Sequence, residues 1–279
     1  MMPLQKFYDS LEQVTIIGNA DGDWLPSANG VSITFNATQH KNTITICNGP
    51  YAGVNAAFTV ERSNNDAIFV QILTTVADSL VKRINCWPSS GLVTAVMSAM
   101  VSKTVYLTRM SLLPSLARSI NMEEAETLPC MVHNWLGERR IALGIALTHP
   151  HLHWPDLYVK PKFDTTIVNP EGFNPFSALL GEQNDRRTPA LKCQVAQPDD
   201  YIEQLNILQQ IASLEVHFWL ESANINNLLE CEKLFYNPTP ENGLSNWFLM
   251  DFNASQYLDD IRHHLAYCQQ ILAFKALRV

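Results

Sequence analysis

The first half of the chain alternates short β-branched runs with turn residues, and that alternation constrains the fold more than any other feature. VTII (14–17), VSITF (31–35), TITIC (43–47), AIFVQIL (67–73) and TVYL (104–107) each read as a strand bounded by Gly, Asn, Asp or Pro. Between the last two, VADSLVKRI and GLVTAVMSAM carry helical spacing instead. In GLVTAVMSAM, the residues Leu92, Val93, Val96, Met97 and Met100 fall on one face, while Ala95, Ser98 and Ala99 make a face small enough for close packing. Strands interleaved with helices predict an α/β layer with a mostly parallel sheet.

The second half changes character. LTHPHLHWPDLYVKPKFDTTIVNPEGFNP (147–175) is rich in proline and aromatics and predicts a long structured loop with one strand at most. Beyond it, 199–235 and 255–277 carry helical periodicity. A boundary near 148–160 therefore divides an α/β part, 1–150, from a helix-rich C-terminal part, 151–279.

With 279 residues, 47% of them hydrophobic, the chain can bury one large core or two smaller ones. The formal net charge of -8 argues against a nucleic-acid binder held by phosphate contacts, and gives no general attraction to an anionic membrane. The cysteines stand at 47, 86, 130, 193, 231 and 268, with no CxxC pair, so zinc-ribbon and redox-dithiol readings are disfavoured. Free thiols, no basic-then-apolar leader and no apolar run of about 20 residues predict a soluble cytoplasmic protein of bacterial style.

Five places carry side chains suited to chemistry. The first strand ends at Gly18-Asn19, where an open α/β sheet usually presents its ligand site. Glycine permits close approach to the backbone, and the Asn amide offers a donor and an acceptor. The second strand ends at Asn36, with Thr38 beyond it, so a pair of amides could bracket a phosphate or a base. In WPSSGLVTAV (87–96), one serine suffices to cap the helix, so Ser89, Ser90 and Gly91 together suggest an anion site at the helix N-terminus. No GxSxG elbow surrounds Ser90, which disfavours a hydrolase nucleophile. In HNWLGE (133–138), His133 is suited to taking a proton from a hydroxyl near neutral pH. Finally His149, His151 and His153 would share one face of an extended segment; a metal there would find only Asp156 as a further ligand, and no metal site is expected.

The order of these features resembles the sialylmotifs of the animal-type sialyltransferases. VTIIGNADGDWLPSANGVSITFN is similar to their large motif, with Thr34 where that motif carries an Arg. PSSGLVTAVMSAMVSKTVYL is similar to their small motif, LLPS (112–115) to a segment some members carry after it, and HNWLGE to the His-x4-Glu of their very short motif. A looser likeness extends to bacterial sialyltransferases and Kdo transferases. The likeness spans about residues 13–140, and it has departures. The cysteines that join the first two motifs in the animal enzymes are absent, no His-Tyr-Tyr-type motif precedes His133, and the tail after the last motif is long and helical.

The resemblance implies a Rossmann-like sheet in a GT-A-variant, sialyltransferase-like arrangement, with 1–150 binding the nucleotide sugar and 151–279 serving as an acceptor-binding or packing layer. It implies an inverting glycosyltransferase that takes sialic acid or Kdo from a CMP-sugar without a metal cofactor. Gly18, Asn19, Asn36, Ser89, Ser90 and Gly91 would hold the donor, and His133 would be the general base. With the third motif missing, His149, His151 or His153 is left as the group that protonates or contacts the leaving phosphate. The acceptor would be a glycan or glycolipid of the cell surface, which would place the enzyme at the periphery of the inner membrane, and the apolar C-terminal helices offer a homodimer surface. Two other readings use the same residues: another phosphate- or nucleotide-binding α/β enzyme, and a non-catalytic binding protein of this fold.

Overall fold

A computed structural model describes residues 7, 9–26, 29–38, 42–53, 56–63, 66–117, 120, 133–162, 173–180, 198–234, 248 and 251–277. The chain divides into two compact units that interleave in sequence: 1–112 with 137–158, and 113–136 with 159–279. This division groups 113–136 with 159–279, whereas the sequence predicts one boundary near 148–160.

The first unit is built on a six-stranded sheet in the order β4-β3-β2-β1-β5-β6. Its strands are β1 (Gln13–Ile17), β2 (Val31–Phe35), β3 (Ile44–Asn48), β4 (Phe58–Glu61), β5 (Thr104–Thr108) and β6 (Leu152–His153). All neighbours are parallel except β3 and β4, which pair antiparallel from Thr45↔Glu61 to Asn48↔Phe58. Both faces of the central strands are covered, so Val14, Thr15, Ile16 and Ile17 are all buried, as a parallel sheet requires. Burial extends to hydroxyls: Thr34 Oγ1 lies 3.1 Å from Thr43 Oγ1 and 3.4 Å from Thr45 Oγ1, so these side chains satisfy one another inside the sheet.

Helix α1 (Asp66–Ile84) packs on β4 and on α2 (Ser90–Val101), and α2 packs on β1, β3 and β5. The run AIFVQIL, expected as a strand, lies inside α1. Its Phe69 and Leu73 belong to a buried row continued by Val76, Ala77, Leu80 and Ile84, a 3.6-residue period that overrides local β propensity. The strand the sequence hid is β4, whose short FTVE pattern sits at the sheet edge. In α2, Leu92, Val93 and Met97 are buried as expected, whereas Met100 is 60% exposed.

β2 and β3 run parallel although only residues 36–43 join them, fewer than the dozen or so of a usual crossover. Asn36 starts that return with φ 51, in the left-handed region that Asn tolerates. Its backbone N–H donates to Ile46 O at 3.0 Å, and its Oδ1 accepts from Asn48 N at 3.0 Å.

The second unit is helical. Its helices include α4 (Pro175–Leu180), which packs on α5 (Pro198–Ala212), α6 (Val216–Ser222) and α7 (Ile225–Glu232), and the long α8 (Phe252–Ala276). α8 contacts α5, α6 and α7, and Asp251 caps it by accepting from Ala254 N at 2.6 Å. The core is a cluster that includes Phe176, Leu208, Ile211, Trp219, Leu258, Ile261 and Leu265, with Trp135 and Leu136 from the 113–136 segment. Arg262 is buried here: its guanidinium donates to Pro114 O and stacks 4.5 Å from the Trp135 ring. A further helix, α3 (Trp135–Thr148), begins in this unit and continues in the first. Among the described residues, no helix is long and apolar enough to cross a membrane.

Candidate functional site

β1 is the point where the strand order of the first unit reverses, with β2 on one side and β5 on the other. Ligands of open α/β sheets bind outside the carboxyl ends of strands at such a point. Here those ends carry Gly18 and Asn19 after β1, Asn36 after β2 and Arg109 after β5.

The gap between β1 and β5 is closed by the chain itself. Gly18 N donates to Thr108 O at 2.9 Å, Ala20 N to Arg109 O at 3.2 Å, and Arg109 Nε to Ala20 O at 2.6 Å. A Cβ on Gly18 would stand 2.2 Å from Arg109 O, and one on Gly91 would stand 2.4 Å from Met110 Sδ. The close approaches that both glycines permit are thus made by the Arg109–Met110 backbone and side chain. That segment is fixed from behind: Trp154 Nε1 donates to Met110 O, and Arg109 N donates to Asp156 Oδ2, both at 2.6 Å.

The helix end at WPSSG does hold an anion, and the anion belongs to the protein. Ser89 is the N-cap of α2, with φ -65 and ψ 148, and its Oγ accepts from Leu92 N at 3.3 Å. Its backbone N–H donates to Glu138 Oε1 at 2.7 Å, and its hydroxyl donates to Glu138 Oε2 at 2.6 Å. Glu138, only 2% exposed, thus places a carboxylate at the positive end of the helix, where the macrodipole favours it. Ser90 is buried, and among the described residues its Oγ has no hydrogen-bond partner; the same holds for Thr94, Ser98 and Ser102, each four residues further along.

The two amides are arranged differently. Asn19 is exposed, and its Oδ1 accepts from Thr38 Oγ1 at 2.7 Å, tying the ends of β1 and β2 together. Asn36 spends its oxygen on Asn48 N. With both oxygens engaged, both side chains retain an NH2 group, a donor suited to a phosphate oxygen.

His133 belongs to the second unit and is half-buried; its carbonyl accepts from Trp135 N at 2.9 Å as α3 begins. The 149–153 histidines lie in the first unit, from the end of α3 through β6. His151 Nε2 contacts Ala99 O at 2.9 Å, near the C-terminus of α2. By the rise of an α-helix, that is about 13 Å along α2 from Ser90. His149 Nδ1 contacts Ile145 O at 3.1 Å, and His153 stacks on Tyr106 with ring centroids 4.9 Å apart. These contacts tie the edge strand to α2, α3 and β5, and among the described residues no group of three or more His, Cys, Asp or Glu could hold a metal ion.

One buried residue was not singled out by sequence. Arg139 has no exposed surface, and it donates to Ser111 O and, at 2.6 Å, to Leu157 O. Burial pushes its pKa down to about 10, and it remains a cation at neutral pH. It fastens the backbone at Ser111 and Leu157 to α3. The only sequence signal is ERR interrupting an apolar helical pattern.

No protein-family model matches the chain, and no curated protein and no solved structure is significantly similar to it.

Proposed function

We propose that the chain is a CMP-sugar-dependent glycosyltransferase on a sialyltransferase-like variant of the GT-A fold, moving a 2-keto sugar acid, sialic acid or Kdo, to a hydroxyl of a glycan or glycolipid. The observation that carries this is the Ser89–Glu138 pair. The PSSG and His-x4-Glu stretches both bear the resemblance, and Ser89 of the first and Glu138 of the second, 49 positions apart, bond to each other through both carboxylate oxygens. Placement of Asn19 and Asn36 at the carboxyl ends of adjacent parallel strands supports the same reading.

The amide NH2 groups of Asn19 and Asn36 donate to the CMP phosphate and ribose. Gly18, Ser89, Ser90 and Gly91 shape the floor, with Ser89 acting through Glu138. His133 takes the proton from the acceptor hydroxyl as its oxygen bonds to the anomeric carbon of the sugar acid. The bond from that carbon to the phosphate oxygen breaks, with inversion, and CMP leaves as a phosphate monoester whose charge the amide donors stabilise. A glycolipid acceptor would draw the enzyme to the inner-membrane surface, and a homodimer would form through the C-terminal helices.

One observation favours a second reading, a nucleotide- or phosphate-binding protein of this fold without transferase activity: the helix end that would receive a substrate anion is already filled by Glu138. Transfer from CMP-sialic acid and CMP-Kdo to a lipooligosaccharide acceptor, with CMP release read directly, separates the two. The glycosyltransferase reading expects turnover that His133→Ala abolishes while CMP binding persists. CMP binding without turnover in wild type selects the second reading, and absence of both defeats the first.

A further inference from the structure

The second unit contains a cavity of about 390 Å³ to which neither reading above assigns a role. It lies between α8 and the residues that follow α5, and its walls include Lys162, Ser213, Leu214, Tyr257, Asp260 and His264. Tyr257, Asp260 and His264 recur at i, i+3 and i+7, so one face of α8 presents all three. Lys162 is held over that face by the segment that carries it: Val159 N donates to Gln270 Oε1 at 2.9 Å, and Lys160 O contacts His263 Nε2 at 2.6 Å.

The polar groups of this cavity are mixed and balanced in charge. Lys162 Nζ donates to Asp260 Oδ1 at 2.6 Å, so the ammonium and the carboxylate neutralise each other side by side. Neither a lone anion nor a lone cation meets an uncompensated partner there. Ser213 Oγ donates to Gln209 O at 2.6 Å and keeps lone pairs to accept with. Tyr257 adds a hydroxyl that both donates and accepts, on an aromatic ring. The floor is the His264 imidazole, stacked 5.5 Å from Trp219 and held neutral at pH 7 by burial, which lowers its pKa to about 4.

We propose that this cavity binds a neutral, hydroxyl-rich ring, a monosaccharide unit or cyclic polyol. A vicinal diol matches the Lys162–Asp260 pair, since each hydroxyl can accept from the ammonium and donate to the carboxylate. Ser213 and Tyr257 serve further hydroxyls, and the Tyr257 and Leu214 surfaces cover the C–H face. The volume stands near the lower end of small-molecule pockets, about 300–1,000 Å³, which suits one substituted ring. The inference rests on this cavity alone and not on the CMP-sugar reading.

Saturation-transfer NMR on the full chain with methyl glucoside, methyl galactoside, methyl N-acetylglucosaminide and myo-inositol tests it, with acetate and methylammonium as charged controls. At least one ring compound should bind and the charged controls should not. Asp260→Ala should weaken that binding by about tenfold or more, as expected for losing a charge-assisted hydrogen bond. Tyr257→Phe, which keeps the ring and the fold, should weaken it by a smaller factor, with circular dichroism and the melting temperature of both variants compared with wild type. The proposal is overturned if no ring compound binds, if a charged control binds in preference, or if the two folded variants bind as wild type does. CMP titrated in parallel reports on the donor reading separately, so either can fail without the other.

Discussion

Replacing Glu138 by Ala removes the internal anion from the N-terminus of α2, and the structure sets how much that costs. The carboxylate accepts from the backbone N–H and the hydroxyl of Ser89, both at 2.7 Å or less, and is 2% exposed. Hydrogen bonds to a charged group contribute about 1.5–3 kcal/mol each, and a carboxylate at a helix N-terminus contributes up to about 1 kcal/mol more. Water can enter the space left by the side chain and satisfy Ser89 in part, so a net loss of about 3 kcal/mol is expected. That corresponds to roughly two orders of magnitude in local opening, read by hydrogen exchange at the amides of Leu92 and Val93. Glu138→Gln keeps the shape and the bond from Ser89 N, and should cost only about 1 kcal/mol. Inorganic phosphate should then protect these amides in the Ala variant and leave wild type unchanged, because only the variant offers an empty helix end. A Glu138→Ala protein whose amides exchange as in wild type would refute the argument. Equal protection by phosphate in both proteins would show that Glu138 does not occupy the site.

Other consequences are equally open to measurement. Gly18→Ala should be far worse than Gly91→Ala, by about 2 kcal/mol or more in chemical denaturation. The first collides with the carbonyl of Arg109, whereas the second meets the movable thioether of Met110. His264 should make the protein acid-sensitive: its pKa falls from 6.5 to about 4 on folding, so the unfolded chain binds the proton first. Its contribution is fully present above about pH 6.5 and is lost as pH falls toward about 4, in total about 3 kcal/mol. His264→Phe should remove that loss, so the stability gap between the variant and wild type should change across this window and be flat above it.

The parts of the fold that were legible in sequence are those with short-range signatures. β1, β2, β3 and β5 could be read because β-branched runs end in turn residues, and α2 because its cap and its apolar spacing agree. The 67–73 segment was not legible. Val and Ile raised its strand signal, and only the tertiary row from Phe69 to Ile84 makes it helical. The interleaving of the two units was hidden for a related reason: no composition change marks 113–136 as belonging with residues beyond 158. At the site, Ser89 could be read as a helix cap, but nothing local says that it also bonds to a glutamate far along the chain. Long-range pairing of this kind leaves no periodic trace, and the buried guanidinium of Arg139 is of the same sort.

The most direct test of the central claim is calorimetric titration of CMP into wild type, Asn19→Asp and Asn36→Asp. Aspartate keeps the acceptor oxygen that Thr38 or Asn48 N needs and tolerates the left-handed backbone at 36, so each fold contact survives. What changes is the amide NH2, which becomes a carboxylate oxygen facing a phosphate. Binding of CMP to wild type, with a loss of about tenfold or more in each variant, is the predicted result. Absence of CMP binding to wild type, or equal affinity in all three proteins, would contradict the proposal that these strand ends hold a cytidine nucleotide.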